Sequence, residues 1–166
     1  MILATNLCFL WLLINVFIFI PKKMTREEIL FIFLTSSLLL MTIIIPMAND
    51  RYLDIRQKPF SLQEFFPFFL NRNMIYPLST LLILNISQLL IRFRSRIIWY
   101  AVSVAGFTVY TLMEKEHTVI RDVPVVILVL FFSAYLLLLY FLLKSFRVLS
   151  DSETGAHTNT GKKSVK

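Results

Sequence analysis

Long uncharged stretches alternate with short charged ones along this chain. Five stretches contain no Asp, Glu, Lys or Arg, and they cover residues 1–20, 29–45, 74–91, 97–113 and 123–143. Each has 17 to 21 residues, which is enough for a helix to cross about 30 Å of hydrocarbon. None shows the two-residue alternation of a membrane β-barrel strand, and backbone groups in lipid must be hydrogen-bonded within their own segment. The pattern predicts an all-α integral membrane protein, a bundle of five transmembrane helices.

Prolines and one capping motif support these boundaries. Pro21 and Pro46 directly follow the first two stretches. Pro77 and Pro124 fall in the first turns of the third and fifth, where a missing N–H costs little. Thr25 with Glu28 three residues later forms a capping-box pattern, which predicts the start of the second helix.

Composition agrees with the membrane assignment. The chain is 57% hydrophobic and 16% charged, whereas soluble domains carry roughly 25% charged residues. A mean hydropathy of +0.73 excludes a soluble globular protein, and a single Cys excludes a disulfide framework. Residues 1–149 therefore form one transmembrane domain. Residues 150–166 are rich in Ser, Thr, Gly and Lys, which predicts a disordered cytoplasmic tail.

Basic residues in the connections predict the orientation. The first loop, the third loop and the C-terminal segment together hold eleven of the 17 Lys and Arg, and the second and fourth loops hold six. Since basic loops stay in the cytoplasm, the N-terminus lies outside and the C-terminus inside. The net charge of +7 comes from short clusters beside the spans, which predicts contact with anionic lipid at the cytoplasmic face. No basic stripe or stacking module for nucleic acid is present, so nucleic acid is not an expected partner.

The second loop, residues 46–73, is unusual because residues 60–70 contain five Phe. Pro67 interrupts this segment, and it is too short to span. It is predicted to lie in the outer interface with its aromatic side towards the lipid. A re-entrant segment or a partner-docking patch is the alternative.

Two sets of residues inside the spans are candidate functional positions. Asn15, Asn85 and Gln88 are candidates for a narrow polar path, although such groups usually hydrogen-bond between helices. Ala101, Ala105 and Gly106 give the fourth span its smallest side chains, and small residues let a neighbouring backbone approach closely. The fourth span is therefore predicted to lie at the centre of the bundle or to form a dimer face.

One cluster on the predicted outer side could carry chemistry: Asp50, Asp54, Glu114 and His117. Carboxylates and an imidazole could hold a divalent metal or transfer protons. Nearby Arg51, Lys115 and Arg121 could equally pair with the carboxylates, and this is the favoured interpretation. No nucleophile-elbow, zinc-protease, P-loop or dinucleotide motif occurs in the chain. No catalytic residue, metal or cofactor is therefore assigned.

Several short motifs occur at the ends of the uncharged stretches: Ile20 to Lys23, Arg26 and Glu27, the Phe-rich segment leading to Tyr76 and Pro77, Asn85, Glu114, Thr118 to Ile120, and Phe146 with Arg147. With these motifs the layout resembles a family of small multi-pass integral membrane proteins of unknown function from spore-forming bacilli and clostridia. The resemblance covers most of residues 10–147. It implies a bacterial plasma membrane and brings no activity with it.

These observations predict a non-enzymatic, multi-pass plasma-membrane protein of unknown specific role. It is expected to act by association, with itself as a homo-oligomer or with a membrane-protein complex. The first alternative is a small oligomeric channel or transport component. The second is a membrane enzyme or metal-binding protein that uses the outer carboxylate and His cluster.

Overall fold

A computed structural model of the chain describes residues 2–47, 66–67, 69–115 and 124–160. In these ranges all regular secondary structure is helical, without strands. Its five α-helices are α1 (Ile2–Phe19), α2 (Arg26–Met47), α3 (Tyr76–Leu89), α4 (Phe93–Lys115) and α5 (Val125–Thr160). One π-helical turn, Asn71–Ile75, leads directly into α3. The all-α prediction is confirmed, and each of the five uncharged stretches lies largely within one helix; the five-span bundle and its orientation stay predictions.

Helix α2 begins as the sequence predicts. The backbone N–H of Thr25 donates to Oε2 of Glu28 over 2.9 Å, and the N–H of Glu28 donates to Oγ1 of Thr25 over 3.2 Å. This reciprocal pair satisfies two backbone donors that the first turn of a helix leaves without partners. The capping-box prediction is confirmed.

The sequence places Pro77 in the first turn of α3 but does not predict the π-helical turn before it. The N–H of Tyr76 bonds to the carbonyl of Asn71, five residues earlier, which is π-helical spacing. Pro77 has no N–H and leaves the carbonyl of Asn73 without its usual helical donor. The hydroxyl of Ser37 on α2 reaches that carbonyl at 3.4 Å. The π turn thus accommodates Pro77, and the Ser37 hydroxyl of α2 partly replaces the hydrogen bond that the carbonyl of Asn73 lacks.

Helix α3 lies at the centre of the described bundle. It packs against α1, α2 and α4, while α5 packs against α2 and α4. Ala101, Ala105 and Gly106 of α4 are exposed, and a Cβ added to Gly106 would meet nothing within 4 Å. The prediction that the fourth span is the central helix is therefore wrong. Helix α3 is the buried helix because its polar side chains need hydrogen-bond partners inside the bundle. The alternative that the fourth span forms a dimer face stays a prediction.

Large apolar side chains cover the outside of the bundle. Thirty-two of them are exposed against seventeen that are buried among the described residues. Two stretches, Phe93–Met113 and Val125–Ser150, are long and apolar enough to cross a membrane. The apolar stretch Leu3–Phe19 is slightly shorter, and α3 without its π turn has 14 residues, or roughly 21 Å at 1.5 Å per residue. The two long helices indicate association with a membrane.

The structure differs from the sequence prediction at two boundaries, the end of α5 and the end of the predicted outer loop. Helix α5 continues to Thr160, so the predicted disordered tail from residue 150 is corrected for its first part. Extending an existing helix adds one hydrogen bond for each residue fixed, and no Pro interrupts this segment. In the predicted outer loop, residues 69–73 are helical and Asn71 and Arg72 are buried. Most of the remaining loop lies outside the described residues.

Candidate functional site

One end of the bundle carries a partly buried ion pair, the Glu28–Arg147 cluster, which consists of Glu28, Gln88 and Arg147. Nε of Arg147 donates to Oε1 of Glu28 over 2.5 Å, and Nη2 donates to Oε2 over 3.0 Å. The same Nη2 donates to Oε1 of Gln88 over 2.8 Å. The cluster joins α2, α3 and α5, and this end is called the Arg147 end below.

Burial and charge set the protonation of this pair. Glu28 is 5% exposed, whereas the Arg147 side chain is 40% exposed. The hydrogen bond from Arg147 lowers the pKa of the Glu28 carboxyl, burial opposes that shift, and the N–H of Thr25 supports it. Glu28 is therefore ionised at neutral pH and serves both as the cap of α2 and as the anion of the pair.

Asn85 holds the α1–α2 loop at the same end. Its Oδ1 accepts from the N–H of Lys23 over 2.8 Å, and its Nδ2 donates to the carbonyl of Pro21 over 3.0 Å. The side chain is 2% exposed, so these two bonds satisfy an amide that is sealed from water. Asn85 is a clamp between α3 and the loop.

A second polar layer lies in the middle of the bundle and consists of Ser36, Thr80 and Tyr135. The Thr80 hydroxyl donates to the carbonyl of Tyr76 over 2.8 Å, and it therefore accepts from the Tyr135 hydroxyl at 3.2 Å. Because the Tyr135 proton is then used, the Ser36 hydroxyl donates to Tyr135. This single direction of donation satisfies all three groups and connects α2, α3 and α5.

The opposite end, called the Asn71 end, buries Asn6, Asn71 and Arg72 beside Tyr110. The Tyr110 hydroxyl lies 2.9 Å from Oδ1 of Asn71 and 3.5 Å from Oδ1 of Asn6. Both Nδ2 atoms are buried without a hydrogen-bond partner among the described residues. Exchanging the O and N positions of the Asn6 amide lets its Nδ2 donate to the Tyr110 oxygen. One of the two buried Nδ2 atoms then has a partner.

A groove opens sideways between α1 and α4, with α3 as its floor. Its volume is about 250 Å³, and it is open on one side. The lining is almost entirely apolar, and Gly106 leaves a gap in the wall formed by α4. The remaining lining residues are Phe9, Ile75, Tyr76, Ser79, Ile83, Trp99, Val102, Ser103, Phe107 and Tyr110.

Two basic side chains at the Arg147 end have described contacts, and one of them, Arg96, lies on the groove side of α4. Nε of Arg96 donates to the carbonyl of Leu90 over 2.7 Å, and its terminal nitrogens have no hydrogen-bond partner in the described part of the chain. Arg96 precedes the groove residue Trp99 by three positions, so both lie on one side of α4. Lys22, just beyond α1, holds its Nζ 5.0 Å from the centre of the Phe17 ring.

The predicted polar path is not joined by the described contacts. Asn15 donates to the carbonyl of Trp11 on its own helix over 2.7 Å. Asn85 bonds to the α1–α2 loop, and Gln88 accepts from Arg147. The structure brings Asn85 and Gln88 to one end of the bundle, and each has a local bonding role there.

The predicted outer cluster of Asp50, Asp54, Glu114 and His117 lies outside the residues whose side chains the structure describes. Among the described side chains, no group of three or more His, Cys, Asp and Glu could hold a metal ion. Sequence reasoning did not find the Glu28–Arg147 pair or the groove. The high polar content of the third span was a signal for the central position of α3.

Comparisons with protein-family models, with curated proteins and with solved structures give no match. The resemblance to a family from spore-forming bacteria stays a prediction.

Proposed function

We propose that this protein is a five-span integral protein of a bacterial plasma membrane that acts by association rather than catalysis. One observation carries the proposal: the distribution of polarity is inverted relative to a soluble protein. The exposed surface is rich in Leu, Ile, Val and Phe, while eleven polar or charged side chains are buried in the described part of the chain. In hydrocarbon, polar groups have no water to bond, so they turn inward to each other.

The arrangement of the ends supports the proposed orientation. The loop residue Lys23, the C-terminal turn of α3 and Arg147 are joined by hydrogen bonds at the Arg147 end. Lys22, Arg92, Arg94 and Lys144 add basic charge in the same connections. Such a concentration favours the cytoplasmic side. The Arg147 end is therefore the cytoplasmic end in this proposal, and the Asn71 end faces outward.

A reporter experiment tests the five spans and their orientation. Alkaline phosphatase fused after residue 60 is expected to be active, because that loop is on the outside. The same reporter fused after Lys23 is expected to be inactive, because it stays in the cytoplasm. Inactive enzyme at residue 60 would contradict the orientation, and release of the unfused protein by alkaline carbonate washing would contradict membrane insertion.

Association is supported by an open face on α4. Ala101 and Ala105 are four residues apart and both are exposed, so another helix could approach this face closely. The contact would use packing and would need no further chemistry from the protein.

Native mass spectrometry of the gently extracted protein tests the association. A homo-oligomer or a second protein at fixed stoichiometry is expected. The double substitution Ala101→Leu and Ala105→Leu should reduce the bound fraction by about tenfold, since each leucine keeps the backbones apart. Ala134→Leu is the matched control, because Ala134 is an exposed alanine of α5. A wild-type protein that is monomeric and free of other proteins would contradict the proposal.

A further inference from the structure

The groove between α1 and α4 has the length and the apolar lining that suit a single hydrocarbon chain. Its lining on α4 runs from Trp99 to Tyr110, which is roughly 16 Å at 1.5 Å per residue. That length is about half of a 30 Å hydrocarbon core, or one leaflet. The groove has a volume of about 250 Å³ and is open on one side, so a flexible alkyl chain can lie along it in contact with apolar side chains. A helix, at 10–12 Å in diameter, is too wide to enter it.

Charge at one mouth of the groove complements an anionic headgroup. Arg96 lies one turn from Trp99, and the carbonyl of Leu90 holds its Nε and so fixes the side chain. Its terminal nitrogens form no hydrogen bond with described residues. Unpaired donors of fixed geometry bind phosphate oxygens well.

We propose that the groove binds one acyl chain of an anionic phospholipid, whose phosphate is held by Arg96. This inference rests on the proposed insertion in the membrane, with the Arg147 end in the cytoplasmic leaflet. The apolar lining selects for a hydrocarbon chain, and the Arg96 cation selects for a negative headgroup. The protein would thus carry a specific lipid on its side, close to the exposed face of α4.

Titration of the detergent-purified full chain with dioleoylphosphatidylglycerol and dioleoylphosphatidylcholine, followed by native mass spectrometry, tests the site. One phosphatidylglycerol is expected to bind about tenfold more tightly than phosphatidylcholine. Arg96→Gln should lower this preference roughly five- to tenfold, because it removes one charge-assisted contact. Arg94→Gln removes the same charge from an exposed neighbour and should leave the preference unchanged.

A second pair of variants tests the groove itself. Gly106→Leu places a side chain in the open space of the groove and should lower binding of both lipids at least tenfold. Folding is expected to persist, since Gly106 has room for a side chain and leucine favours helix over glycine. Ala134→Leu adds the same bulk to the surface of α5 and should not affect either lipid. Circular dichroism of each variant confirms that helix content is retained.

The outcomes separate this inference from the proposed function. Equal binding of the two lipids by the wild-type chain would overturn the anionic site, and unchanged binding by Gly106→Leu would overturn the groove as the acyl-chain site. A homo-oligomer that Gly106→Leu dissociates, with the bound lipid unchanged, would identify the groove as an interface between copies and overturn the lipid site. Release of the protein by carbonate washing would instead contradict the proposed membrane function.

Discussion

Replacing Arg147 with Met is expected to lower the free energy of unfolding by about 2–3 kcal/mol. The substitution removes the bidentate partner of Glu28 and a donor to Gln88. Glu28 then keeps a buried carboxylate that only the N–H of Thr25 satisfies. The expected cost lies below the 3–5 kcal/mol of a fully buried pair, because the Arg147 side chain is 40% exposed and partly screened by water.

The contribution of this pair should disappear in acid. The Arg147 hydrogen bond holds the pKa of Glu28 below its ordinary value of 4.5 in the folded protein. A carboxyl with a lowered folded-state pKa adds stability that is fully present above its unfolded pKa and is lost as pH falls through its folded pKa. The wild-type chain should therefore lose stability below about pH 4.5. Arg147→Met should lose less over the same interval.

Unfolding in mixed micelles of a mild detergent and dodecyl sulfate measures both effects. Lys144→Met is the matched control, since Lys144 is exposed and lies one turn before Arg147 on α5. It should change the free energy of unfolding by less than about 0.5 kcal/mol. Equal losses in the two variants would show that charge at this end, rather than the Glu28 contact, stabilises the fold.

Local sequence signals predict the helices well, because each signal depends on residues that are close together in the sequence. The five uncharged stretches gave the helices, and Thr25 with Glu28 gave the start of α2. These features depend on hydropathy over about 20 residues and on a three-residue capping spacing. Pro77 was also assigned to the start of the third helix. The π turn before it is not predicted by the sequence, and the Ser37 hydroxyl that bonds to the Asn73 carbonyl comes from another helix.

Contacts between distant parts of the chain were not predictable from one sequence. Glu28 and Arg147 are separated by 119 residues, and in sequence each is an ordinary charge beside a span. The central helix was assigned to the span with the smallest residues, whereas the structure centres α3, which contains Thr80, Asn85 and Ser87. In hydrocarbon, the need to satisfy buried polar groups outweighs the close approach that small residues allow. Small residues then remain available on the outer surface.

Replacing Asn85 with Asp is expected to lower the free energy of unfolding by about 3 kcal/mol, and Asn85→Ala by about 2 kcal/mol. Alanine loses both bonds to the α1–α2 loop. Aspartate keeps an acceptor for the N–H of Lys23 but places an oxygen opposite the carbonyl of Pro21, where Nδ2 now donates. It also adds a charge at a position that is 2% exposed. The same micelle unfolding assay measures the loss.

The variant Asn15→Ala distinguishes two interpretations of Asn85. In one, Asn85 is a clamp for the α1–α2 loop; in the other, Asn85 and Asn15 line a polar path. Asn15 donates only to the carbonyl of Trp11 on its own helix, so its loss should cost less than about 0.5 kcal/mol. Under the clamp interpretation, the two alanine variants differ in stability and solute flux through liposomes stays at background in the wild type. A path would require measurable wild-type flux that both alanine variants reduce while stability is unchanged. Asn15 and Asn85 share no hydrogen bond in the described part of the chain, and both amide atoms of Asn85 bond to the α1–α2 loop. The clamp is therefore the expected result.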